Sequence, residues 1–180
     1  MDTISIKSAT KSDMDIILNL IDFYIYDMSK SMEWECNKKG RFGGCDDSRE
    51  YWQLNHPETQ LTSRWPDGRQ GHPYILKTRT GIAGFALVRQ MESNSDVDFD
   101  MGEFFICGKY QRQGHGRFVA NKLFDMFRGR WSVRQLVANA LAQKFWHSIV
   151  DDYSQGHFTE TFSSDDGWDM VCLQFDNKLV

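Results

Sequence analysis

No run of apolar residues in this chain is long enough to cross a membrane, and Met1-Asp2-Thr3 opens no leader pattern. A soluble, cytoplasmic protein is therefore expected. There is no excess of positive charge: the formal net charge is -4 and the pI is near 5.7. That balance argues against a nucleic-acid partner and for a cationic one. The four cysteines, Cys36, Cys45, Cys107 and Cys172, show no CxxC spacing, and with His56 and His72 they fit no zinc pattern. They read as free thiols in a reducing compartment, with no metal site expected. Internal repeats and low-complexity runs are missing too. Two common nucleotide-binding motifs are also absent. No Gly-Lys-Ser/Thr follows the glycine turn at Gly114 and Gly116, and Val119, not glycine, stands three residues after Gly116.

What the chain does have is aromatic residues, at 14% of 180 residues, enough for one domain with a full core. It is organised around Met101 to Arg128. Glu103-Phe104-Phe105-Ile106-Cys107 has the composition of a buried strand. Gln111-Arg112-Gln113-Gly114-His115-Gly116 is a turn, and Phe118, Val119, Leu123, Met126 and Phe127 then recur at helical spacing. A glycine turn entering a helix presents unpaired N–H groups at the positive end of the helix dipole, which is a seat for phosphate.

The rest of the chain supplies a frame. Ile4, Ile6 and Ala9 mark a first strand, and Thr10 to Asp13 holds helix-cap candidates. Ile16, Ile17, Leu20, Ile21, Tyr24 and Met28 form a helical stripe. Residues 30–71 are irregular, rich in glycine and proline, and carry Trp34, Tyr51, Trp52 and Trp65, with a short helix around Asp47 to Leu54. His72 to Thr78 and Gly84 to Gln90 read as a hairpin. In the next strand, Val97, Phe99 and Met101 alternate with Asp96, Asp98 and Asp100, but after Gly102 the apolar positions become Phe104 and Ile106. A change of parity at a glycine signals a β-bulge. Trp131 to Val137 is a further strand, and Leu141, Ala142, Phe145, Trp146, Ile149 and Val150 mark a helix. Phe158 to Phe162 and Met170 to Phe175 close the chain as strands around Asp165-Asp166-Gly167.

Gln111-Arg112-Gln113-Gly114-His115-Gly116 resembles the acyl-CoA turn of the GNAT N-acetyltransferases: Arg or Gln, two residues, Gly, one residue, Gly or Ala. Asn139-Ala140-Leu141-Ala142-Gln143-Lys144-Phe145-Trp146 is similar to the second signature of that family, Asn, two residues, Ala, two residues, Phe, then usually Tyr. The element order matches over nearly the whole chain. The resemblance implies an α+β fold with a mixed, mostly antiparallel twisted sheet of six to seven strands, helices on both faces, and a bulged, splayed central strand. It further implies an acetyl-CoA-dependent acyltransferase over residues 1–180, monomeric or homodimeric, with an amine acceptor.

The resemblance places the pyrophosphate on the turn, with Gln111, Arg112, Gln113, Gly114, His115 and Gly116 and with Arg117 and Lys144 as counter-charges. It places the pantetheine arm along Phe104, Phe105 and Ile106, near Asn139 and Phe145. A carboxylate must deprotonate the amine; Asp98, Asp100 and Glu103 are candidates, with Glu103 and Asp100 ranked first. The tyrosine that often protonates the leaving thiolate is replaced by Trp146, so Tyr153, His147 or water is expected in that role. Asp46, Tyr51, Trp52, Asp98 and Trp146 are expected around a cationic small-molecule acceptor such as an aminoglycoside antibiotic. Polyamine or protein acetylation, a non-catalytic acyl-CoA-binding module, and an interaction domain without cofactor are the other readings.

Overall fold

The structure is a computed structural model that describes residues 3–42, 70–93, 95–165 and 167–179. Strand β1 (Ser5–Ser8) leads through a short 3-10 turn into helix α1 (Met14–Met32). The Thr10 main-chain N–H and hydroxyl both donate to Asp13, which fastens the start of that helix. Strands β2 (Gln70–Thr78), β3 (Gly81–Gln90) and β4 (Phe99–Ile106) follow as an antiparallel meander. A 3-10 turn (Gly108–Tyr110) then leads to helix α2 (His115–Met126). Strand β5 (Arg130–Leu136), helix α3 (Ala140–Ser154) and strands β6 (Thr159–Asp165) and β7 (Trp168–Asp176) complete the chain.

The seven strands form one sheet in the order β1-β2-β3-β4-β5-β7-β6. Every neighbouring pair is antiparallel except β4 and β5. Helix α1 covers one face: Ile17, Leu18, Ile21 and Ile25 pack on Ile75, Phe85, Leu87 and Phe105. Helices α2 and α3 cover the other, where Val119, Leu123, Phe124, Trp146, Ile149 and Val150 meet Val88, Met101, Ile106, Trp131, Val133 and Leu173. Among the described residues Trp131 is the largest side chain with no exposed surface, and its ring lies 4.8 Å from that of Phe124. Truncation of a ring so placed costs about 3–5 kcal/mol.

The expected stripes sit slightly off the observed ones. Leu18 and Ile25 are buried in α1, and Phe124 in α2, although the sequence stripes leave them out. Phe118, Met126 and Leu141 are exposed despite standing in those stripes. The end of α2 is held by Asn177, whose side chain donates to the carbonyls of Phe124 and Phe127 and accepts from the Gly129 N–H. No described helix is long and apolar enough to cross a membrane. Cys36, Cys107 and Cys172 are free thiols.

Candidate active site

The site begins with one extra residue. On β4, Glu103 pairs with Leu87 of β3 and Met101 pairs with Val88, so Gly102 has no partner of its own. This is the bulge that the change of parity predicts, and it keeps the apolar residues on one side. Phe99 and Met101 before it, and Phe104 and Ile106 after it, all belong to the α2/α3 core. Glu103 is thereby left on the α1 face with Phe105.

The bulge bends β4 away from β5. Their parallel pairing comprises Phe99 with Trp131 and Asp100 with Ser132, and it ends there. Beyond Asp100 the two strands part, although β4 runs on to Ile106 and β5 to Leu136. The main chain of Phe104 to Ile106 thus has β3 on one side and a wedge-shaped gap on the other. The side chains beside that gap are packed. Phe105 is buried against Phe85 and Tyr24, and Phe104 meets Phe145 and Trp146 with ring centroids 5.9 and 5.0 Å away.

At the open end of the wedge stands the turn. Gln111 donates through its side chain to the Ile106 carbonyl at 2.8 Å and to Asp27 at 3.4 Å, which joins the turn to β4 and α1. Gln113 donates to the Lys109 carbonyl at 2.7 Å. Arg112 has φ +58° and Gly114 +81°, so the chain coils into a small cup before α2. Among the described residues, the N–H groups of Gln113, Gly114, His115, Gly116 and Arg117 meet no acceptor, and the first such bond is from Phe118 to the Gly114 carbonyl at 3.1 Å.

The two glycines serve different ends. A Cβ at Gly114 would meet nothing within 4 Å, so its glycine answers to backbone conformation, and the space before it is open. A Cβ at Gly116 would come within 2.9 Å of the Phe145 ring, so its glycine lets α3 pack against the start of α2. The His115 ring is buried and meets Tyr110.

The charged candidates separate. Arg112 is exposed and has no side-chain partner among the described residues. Arg117 is not directed at the turn: its guanidinium binds Asp152, the Ser148 carbonyl and, at 2.7 Å, the Ser148 hydroxyl, and so ties α2 to α3. Lys144 lies in a cleft of about 370 Å³ with Gln135, His147 and Glu160, between α3 and the strands β5 to β7. Asn139 caps α3, accepting from the Ala142 N–H at 3.1 Å.

Asp100 is not available as a base. It is 1% exposed and both of its charged partners, Arg89 and Arg134, bind its Oδ2. It is the centre of a buried ionic clamp across β3, β4 and β5. Asp98 is likewise committed. Its carboxylate accepts from the Arg130 main chain at 2.8 Å and its guanidinium at 3.0 Å, and these bonds hold it below the usual carboxylate range. It joins the starts of β4 and β5 and is not part of an acceptor wall.

Tyr153 is also corrected. It donates to Asp125 at 3.0 Å and packs on Phe124 and Phe175, at the closed end of the wedge. Burial, and then the bond to Asp125, pushes its phenol up to about 12. Trp146 is buried in the α2/α3 core, on the sheet face opposite Glu103, so it does not line an acceptor site there. His147 faces Glu160 at 3.8 Å. Asp46, Tyr51 and Trp52, with Cys45, His56, Trp65 and the helix expected around Asp47 to Leu54, lie outside the described residues.

Glu103 remains. It is half-buried, on the first position after the bulge, and its Oε2 accepts from the Tyr24 hydroxyl at 2.7 Å. Tyr24, Arg89 and Arg134 are the residues that sequence reasoning missed. A charged residue inside the apolar strand Gly84-Phe85-Ala86-Leu87-Val88-Arg89 was a usable signal, because such a charge requires a partner. Tyr24 offered none, standing 79 residues from Glu103.

Comparison of the whole fold with solved structures decides its type. An acetyltransferase from Thermus thermophilus superposes with a TM-score of 0.64, covering 98% of this chain and 99% of that one at 15% identity. The chain has the GNAT acetyltransferase fold. AAC(6')-Ib in complex with ribostamycin and coenzyme A shares this GNAT fold, with a TM-score of 0.62 at 12% identity over 98% and 95% of the two chains. So does spermidine N-acetyltransferase from Vibrio cholerae in complex with CoA and spermine, with a TM-score of 0.57 at 13% identity over 97% and 96%. No family model and no curated protein matches the sequence itself.

Proposed function

We propose that the protein is an acetyl-CoA-dependent N-acetyltransferase that acts on a primary amine of a cationic small molecule. One observation carries this: a strand bent out of its sheet, which leads to a cup of N–H groups without acceptors among the described residues. The residues fit the donor. The amides of Gln113 to Arg117 suit a pyrophosphate, the space before Gly114 is open, and Arg112 stands by as a counter-charge. The main chain of Phe104 to Ile106 suits the amides of a pantetheine arm, as an added strand would.

When bound, acetyl-CoA supplies an acyl group activated as a thioester. The chain supplies the rest. Glu103 takes the proton from the attacking amine, directly or through water. A main-chain N–H beside the bulge, near Phe105 or Ile106, faces the charge that develops on the acyl oxygen. With Tyr153 held at the closed end and Trp146 unable to act as an acid, no side chain is assigned to protonate the thiolate. Coenzyme A leaves as the thiolate or takes its proton from water.

For the acceptor, we favour an aminoglycoside or a polyamine. The carboxylate of Glu103 suits an ammonium group, and Trp34 and Trp168, whose rings meet at 6.3 Å, put aromatic surface beside α1. Two proteins of the same fold carry ribostamycin and spermine in their complexes. The second reading is a non-catalytic acyl-CoA-binding module, which tryptophan at position 146 favours. Thiol release and product mass, measured with acetyl-CoA across a panel of aminoglycosides, polyamines and peptides, test both. Turnover of a cationic small molecule supports the transferase. Binding of coenzyme A with no thiol release from any amine supports the module.

A further inference from the structure

Tyr24 lies in the interior of α1, and its ring is fixed before its hydroxyl is considered. It meets Phe85 edge-on at 5.7 Å and Phe105 at 5.8 Å. A phenylalanine would make both contacts. The hydroxyl therefore adds nothing to the apolar packing of α1 on the sheet, and it donates to Glu103 at 2.7 Å. Bonds from hydroxyl to carboxylate of this length are the strong, charge-assisted kind. Glu103 is only half-buried, so solvation by water was open to it without a tyrosine.

We propose that Tyr24 is a positioning residue of the base, helping to hold the Glu103 carboxylate in one orientation and in its proton-accepting form. This rests on the transferase reading, in which Glu103 is the base. The bond restricts the χ angles of a half-exposed glutamate, on a strand already bent toward the gap. It also favours the charged carboxylate over the neutral acid. Among the described residues, several other charges on this side of the sheet are engaged elsewhere. Arg89 of β3 and Arg134 of β5 both bind Asp100 of β4, and Asp27, one turn further along α1, accepts from Gln111.

The test is Tyr24→Phe, read in two ways. In the free protein, carbon-13 NMR of labelled glutamate follows the Glu103 carboxyl through its titration. Loss of the donor moves that titration up by about one pH unit. In the enzyme, the acid limb of the kcat/KM profile with a reactive amine moves up by the same amount, while KM for acetyl-CoA stays as it was. Superimposable NMR titrations and limbs in the two proteins overturn the proposal, leaving the hydroxyl a packing detail.

Failure of the transferase reading looks different. Neither protein then releases thiol, and the NMR titration still decides whether Tyr24 governs Glu103. Should Tyr24→Phe not fold, Glu103→Gln gives the reciprocal measurement. The Tyr24 phenol then titrates at lower pH than in the parent if the bond is to an anion, and at the same pH if it is not.

Discussion

Asp100 and Glu103 stand three positions apart on β4, and the bulge between them puts both on the α1 face. They differ in what meets them. Asp100 lies where β4 has strands on both sides, is almost wholly buried, and is clamped by Arg89 and Arg134. Glu103 lies where β4 has lost its second neighbour, is half-exposed, and accepts from the neutral hydroxyl of Tyr24. Two guanidiniums fix a charge in place for the sake of the sheet. A phenol that donates to a carboxylate orients it and leaves it a proton acceptor. The closed half of the strand is built to stay together, and the open half to receive something.

Substitutions on the two halves should therefore separate rate from stability. The largest effect is expected from Glu103→Gln, which should lower kcat/KM about 10²- to 10⁴-fold, the usual range for a lost general base. Its midpoint in a urea titration should hardly move. A variant that keeps its rate would remove the contrast. Asp100→Asn should do the reverse. It removes the anion that the Arg89 and Arg134 guanidiniums share, and should lower the midpoint of urea unfolding with little effect on the chemistry at Glu103.

A smaller effect is expected at the far end of the open half. Gly114→Ala forces a side chain into a left-handed conformation, costing about 1–2 kcal/mol, and should shrink the thermal shift given by coenzyme A. The smallest concerns Tyr153, at the closed end. Its phenol is raised in the folded protein, from the ordinary 10 to about 12. The stability it contributes is therefore complete below pH 10 and is lost as pH rises toward 12. Tyr153→Phe should lose less stability than its parent as pH rises between those values, with turnover unchanged near neutrality.

What could be read from the sequence was local. The turn at Gln111 to Gly116 and the bulge at Gly102 are written in a few adjacent residues, as spacing and parity, and both stand where expected. So does the order of the elements. Periodicity tells which way a helix faces but not how far its neighbours extend. That is why Phe118 and Leu141, in the first turns of their helices, proved exposed. The roles of the carboxylates depended on partners brought together by folding: Arg89 is 11 and Arg134 is 34 residues from Asp100, and Tyr24 is 79 from Glu103. Asp98 and Tyr153 were misjudged for the same reason, since Arg130 and Asp125 claim them only in three dimensions.

Gly102 links the two halves more tightly than its size suggests. A methyl group there would come within 2.8 Å of the Arg89 Nε. Any larger residue would push aside the cation that anchors Asp100, in the same stroke as it stiffened the kink that aims Glu103. The hydrogen atom at this position thus acts as a common fulcrum. Loops around the mouth can be exchanged to suit a new amine, but the geometry of the wedge and the ionic clamp beneath it have to be inherited together.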